Sequence, residues 1–82
     1  MSPKIPRDIP AKKLLKVLSK YGYETTRQTG SHIRVYITTT EGVKGVTVPN
    51  HDPIKLGTLM SIINEAASQL NIDREEIIDQ LR

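Results

Sequence analysis

Residues 32–38 alternate without a break. Ile33, Val35 and Ile37 fall on one side of an extended chain, His32, Arg34 and Tyr36 on the other. Period-two alternation predicts a strand with one dry and one wet face, so the rest of the chain must supply apolar cover for a single face. The Thr29-Gly30 pair before this strand and the polar run 39–42 after it predict tight turns. Residues 23–28, rich in Thr and Tyr, and residues 43–48, with Val46 and Val48 in phase, read as the flanking strands. Pro49 cannot donate to a ladder and closes the third. Such short connections make the three strands an antiparallel meander.

The cover comes from segments with helical spacing. Ala11, Leu14, Leu15 and Leu18 recur at i, i+3, i+4 and i+7, one apolar stripe. Pro10 suits the first turn, where its missing N–H is not needed, and Gly22 offers the left-handed residue that ends a helix. After a loop over residues 50–55, a second helix starts at Leu56 or Gly57, with Leu59, Ile62, Ile63, Ala66 and Leu70 as its stripe. Asp73 and Glu76 stand at capping-box spacing before Ile77, Ile78 and Leu81, which predicts a short third helix. The expected fold is α+β, in the order αβββα. A three-stranded antiparallel sheet carries two helices on one face, followed by a short C-terminal helix. We read residues 1–82 as one domain, with 1–9 an extended basic arm (Pro3, Pro6, Lys4, Arg7) and 72–82 an accessory helix. If Thr29 and Gly30 make the turn, residue 27 pairs with 32 and Arg27 stands beside His32. That register turns Glu24 toward the helices, unless a bulge intervenes or Glu24 escapes at the sheet edge.

Composition narrows the function. With 82 residues, 37% hydrophobic, and neither Trp nor Phe, the core is thin. The absence of Cys excludes disulfides and thiolate metal sites and fits a reducing compartment. No apolar run suits a bilayer span or a secretory signal, so a cytoplasmic location is expected. Residues 1–64 hold ten Lys or Arg against four acids, a balance of +6, while residues 65–82 carry −3. The body favours a polyanion and the tail is repelled by one. Lys12, Lys13, Lys16 and Lys20 read as the solvated face of the first helix.

Histidine is the side chain best able to take and give protons near neutrality, with an unperturbed pKa of about 6.5. His32 follows a turn and opens the central strand. It reads either as a strand histidine at a turn or as a catalytic base. Gly30 is explained by a positive φ at the turn. Ser31 projects to the face opposite His32, and no carboxylate–histidine relay is visible, so it is not read as a nucleophile. His51, in the loop after the third strand, suits a leaving-group acid, a phosphate contact, or a loop residue bonded to backbone. Nothing in the spacing of His32, His51 and Asp52 supports a closed metal site. Lys55, Gly57 and Thr58 open the second helix, where free backbone N–H groups attract phosphate. Thr58 also reads as the helix cap. Tyr36 could stack on a base, although three Tyr without Phe or Trp make a poor single-strand platform.

The runs Arg27-Gln28-Thr29-Gly30-Ser31-His32, Val46-Thr47-Val48-Pro49-Asn50-His51 and Pro53-Ile54-Lys55-Leu56-Gly57-Thr58-Leu59 follow in order. This combination of GSH, VPxH and GTL resembles the HicA (YcfA-like) family over residues 14–70. Met60 departs from the pattern, standing where a basic residue is common. The resemblance implies a double-stranded-RNA-binding-domain-like fold and a toxin that cleaves mRNA and is neutralised by a HicB-type antitoxin. It implies His32 as the catalytic residue and no metal or small-molecule cofactor. Arg27, Arg34 or Lys55 would contact the phosphate. A non-catalytic double-stranded RNA-binding module and a protein-interaction domain are the competing readings of the same chain.

Overall fold

The computed structural model describes residues 6–82. The sequence-expected arm over residues 1–9 therefore lies partly outside the described residues, Pro3 and Lys4 included. The elements run α1 (Ala11–Lys20), β1 (Glu24–Thr29), β2 (His32–Thr39), β3 (Gly42–Pro49), α2 (Leu56–Leu70) and α3 (Arg74–Leu81). The sheet is antiparallel in the order β1-β2-β3. This is the α+β, αβββα arrangement expected from the alternation, with the added C-terminal helix.

Parity sets the layers. Ile33, Val35, Ile37, Val46 and Val48 are buried beneath the helices, whereas His32 and Arg34 are exposed and Tyr36 half-buried. Both α1 and α2 pack on β3, and α3 contacts α1 and α2 together. Leu14, Leu18 and Ile63 are fully buried at 0% exposure, each contributing about 1.5–3 kcal/mol of apolar transfer. Ile77, Ile78 and Leu81 of α3 are buried to the same degree. This helix therefore completes the core instead of decorating it, closing the space that a thin two-helix layer leaves open. Its predicted capping box does not form. Asp73 occupies the N-cap position without a side-chain bond, and the Glu76 N–H reaches the Asp73 carbonyl instead.

The β1–β2 register differs from expectation. Thr29 pairs with His32, so the connecting residues are Gly30, at φ +56°, and Ser31. Arg27 consequently faces Arg34, not His32, and a bulge falls between Thr25 and Arg27. The bulge returns Glu24 to a pairing with Tyr36, where it is exposed. One extra residue thus removes the conflict of a carboxylate aimed at the core.

Residues 6–9 are not a loose arm. Ile9 is buried, its carbonyl accepts the Ile54 N–H at 2.8 Å, and the Ala11 N–H donates to the His51 carbonyl at 3.1 Å. Pro10 sits one residue earlier than the first helical turn, at the N-cap of α1.

Tyr23 joins helix and sheet. Its hydroxyl donates to Gln69 Oε1 at 2.7 Å, and Gln69 Nε2 donates to the Gly45 carbonyl at 2.9 Å. Burial, reinforced by the nearby Glu65 carboxylate, pushes the phenol from its ordinary 10.0 up to about 12. The folded state therefore binds this proton more tightly than the unfolded chain. Its contribution is complete below pH about 10 and is lost as the pH rises through about 12. Urea melts of the wild type and Tyr23→Phe should show the difference. Raising the pH from about 9 to about 12 should destabilise the wild type more than the variant. Parallel decline of both proteins would reject the assignment.

Candidate active site

Cross-strand pairing builds the open face. His32, Arg34 and Tyr36 lie opposite Pro49, Thr47 and Gly45 respectively. A Cβ at Gly45 would stand 2.7 and 2.8 Å from the Tyr36 ring and 3.0 Å from the Val35 carbonyl oxygen, so glycine is what lets the ring lie across β3. The Arg34 guanidinium sits over that ring, 5.2 Å from its centroid. It also donates to the Tyr36 hydroxyl at 3.3 Å and to Thr47 Oγ1. Stacking of this exposed kind is worth about 0.5–1 kcal/mol. Its larger effect is positional, because the cation is fixed before any ligand arrives.

The chain leaving β3 delivers the second histidine. The Asn50 N–H donates to the Ser31 carbonyl at 2.6 Å, which ties the loop after β3 to the turn that carries His32. The His51 backbone is held on both sides, its N–H to Pro49 and its carbonyl by Ala11. His51 lines a cleft of about 400 Å³ together with His32, Thr47, Lys55 and Thr58. Both functional alternatives for His51 remain compatible with this placement, and the backbone-bonding alternative is met by the main chain alone.

Next to this cleft lies another of about 490 Å³, walled by Arg34, Thr47, Gly57, Thr58 and Ser61, with Glu65 among its lining. Thr47 and Thr58 are common to both, so the two form one groove between the open face of the sheet and the start of α2. The N-cap of α2 is Lys55, and no side chain caps the helix. Thr58 is therefore not the cap; it sits inside the first turn and faces the groove. Uncapped first-turn N–H groups carry the positive end of the helix dipole. Gly57 has nothing within 4 Å of where a Cβ would stand. No neighbour demands a glycine there, and its absent side chain leaves the backbone open to a ligand.

His32, His51, Lys55 and Thr58 thus share one cleft, Arg34 and Gly57 the adjoining one, and Tyr36 supports Arg34. Arg27 is not brought beside His32, and its side chain lies outside the described residues. The sequence alone does not single out Thr47 for want of a β2–β3 register, although its position between the inward Val46 and Val48 already places it on the open face. Nor does it single out Ser61, although that residue follows Gly57 by one helical turn. Among the described residues the ion pairs are Glu41–Lys44 at 2.9 Å and Asp79–Arg82 at 3.2 Å. Neither Arg34 nor Lys55 is consumed by a carboxylate among the described residues. No group of three His, Asp or Glu suited to a metal ion occurs among the described residues, and none of their helices is long and apolar enough to cross a membrane.

Chemically, the groove combines two imidazoles that can move protons with a fixed guanidinium, an ammonium and free backbone donors that suit a phosphate. A family model described as the HicA toxin of bacterial toxin–antitoxin systems matches residues 11–67, a span from the start of α1 through most of α2. No curated protein and no solved structure matches the chain.

Proposed function

The chain belongs to the HicA toxin family of bacterial toxin–antitoxin systems, and from that premise we propose that it is a metal-independent endoribonuclease acting on mRNA in the cytoplasm. His32 takes the proton of a ribose 2′-hydroxyl. The 2′-oxygen attacks the adjacent phosphorus, and the bond from phosphorus to the 5′-oxygen of the next nucleotide breaks. His51, entering protonated, returns a proton to that departing oxygen. The products are a 2′,3′-cyclic phosphate and a 5′-hydroxyl, and the two histidines exchange protonation states. Because the nucleophile is internal to the substrate, neither a bound water nor a metal is required to supply it.

Arg34, Lys55 and the first-turn N–H groups of α2 around Gly57 and Thr58 offset the charge that builds on the phosphorane oxygens. Arg34 contributes most through preorganisation, being already held by Tyr36 and Thr47. A HicB-type antitoxin neutralises the toxin by covering this groove. The observation carrying the reading is the single cleft lined by both histidines, Lys55 and Thr58.

The experiment is incubation of the purified protein with a long RNA in the presence of EDTA. We expect cleavage to persist and to leave cyclic-phosphate ends. RNA that stays intact, or cleavage abolished by chelation, would overturn the mechanism. Steeply salt-dependent binding without cleavage would favour the non-catalytic RNA-binding reading.

A further inference from the structure

The groove continues past Lys55. A third cleft, of about 210 Å³, is walled by Arg7 and Asp8 on one side and by Pro53, Lys55 and Leu59 on the other. Lys55 lines both this cleft and the one containing His32, so the surface running through Arg34, His32 and Lys55 extends onto the segment before α1. That segment is seated there by the buried Ile9 side chain and by the bond from the Ile54 N–H to the Ile9 carbonyl, with the Ala11 N–H at the start of α1 bonding the His51 carbonyl of the same loop. Arg7 is exposed and has no ion pair among the described residues. With Lys55 it outweighs the single carboxylate of Asp8, leaving the cleft net positive.

We propose that Arg7 contacts a phosphate of single-stranded RNA away from the scissile bond, so that the strand leaves the His32 cleft over Lys55 and onto residues 6–8. This rests on the reading of the groove as an RNA site. A cation on a segment pinned to the core gives up less conformational freedom on binding than one on a free tail. Arg7 is a subsite for chain length; it takes no part in bond breaking.

The test uses the full chain carrying His32→Ala, so that RNA is bound and not consumed. Its affinity is measured over a salt series for a trinucleotide and for an RNA of about twelve nucleotides, with and without Arg7→Ala. For the longer RNA we expect roughly fivefold weaker binding in the Arg7 variant, and a salt slope shallower by about 0.7, the value for one phosphate contact on a single strand. For the trinucleotide no change is expected, and Arg7→Lys should restore most of the loss. Equal affinity of the two proteins for the longer RNA would overturn the subsite. So would an equal loss on both RNAs, which would trace to the His51 loop. If the His32→Ala protein bound neither RNA even with Arg7 intact, the RNA reading of the whole groove would fall instead.

Discussion

Replacing His32 by Ala is expected to slow RNA cleavage by roughly 10²- to 10⁴-fold, the range for loss of a well-placed general base, while leaving the fold intact. The second half of that expectation follows from position. His32 is exposed on the open face of β2, and its side chain makes no hydrogen bond to another described residue, so truncation opens no cavity and strands no buried partner. Surface changes of this kind stay within about 0.5 kcal/mol. The measurement pairs a cleavage time course with a thermal melt. A variant that melts with the wild type but no longer cuts assigns the imidazole to chemistry. Full activity in a folded variant would remove His32 from the mechanism and move attention to His51. Arg34, Lys55 and the α2 N-terminus are untouched by the change, so RNA affinity should survive.

Gly57 should separate stability from activity in opposite directions. Glycine inside a helix is less favourable than alanine by up to about 1 kcal/mol, and an added Cβ meets nothing in the protein. Gly57→Ala should therefore melt at the same or a higher temperature. Gly57→Asp should be at least as stable, because an acidic side chain in the first turn complements the helix dipole by about 0.3–1 kcal/mol. Both substitutions fill the place where a phosphate would approach the backbone, and aspartate adds repulsion. We expect cleavage to fall by roughly 10-fold in the alanine variant and 100-fold or more in the aspartate variant, in keeping with losses at anion-stabilising donors. Unchanged cleavage in both would show that the start of α2 does not hold the scissile phosphate.

What could be read from the chain, and what could not, divides along physical lines. Periodicity gave the faces. Ile33, Val35 and Ile37 went inward and His32, Arg34 and Tyr36 outward because a strand's side-chain period is two, whatever its partners do. The error in the turn shifted the β1 pairing by two residues, which preserves parity; this is why Arg27 moved from His32 to Arg34 without disturbing the layers. The bulge was foreseen only as one escape for Glu24, since an inserted residue has no periodic signature. Pairing across β2 and β3 was the larger gap. The bond from Arg34 to Thr47 and the fit of Tyr36 over Gly45 depend on residues about ten positions apart in the chain, and no local pattern announces them. Thr58 as a cap failed for a different reason. A threonine early in a helix suits that role by composition, but the helix begins two residues before it, with Lys55 at the N-cap.

The bulge in β1 has a bearing on how copies of this chain meet one another. β1 is an outer strand of the sheet, and an outer strand carries backbone groups able to recruit a second sheet. Here Glu24, Thr25, Thr26, Gln28 and Thr29 are all exposed and none is apolar, while the irregularity between Thr25 and Arg27 breaks the even spacing of donors and acceptors. A neighbouring molecule would find neither a straight ladder to extend nor a greasy strip to cover, which disfavours runaway stacking of sheets.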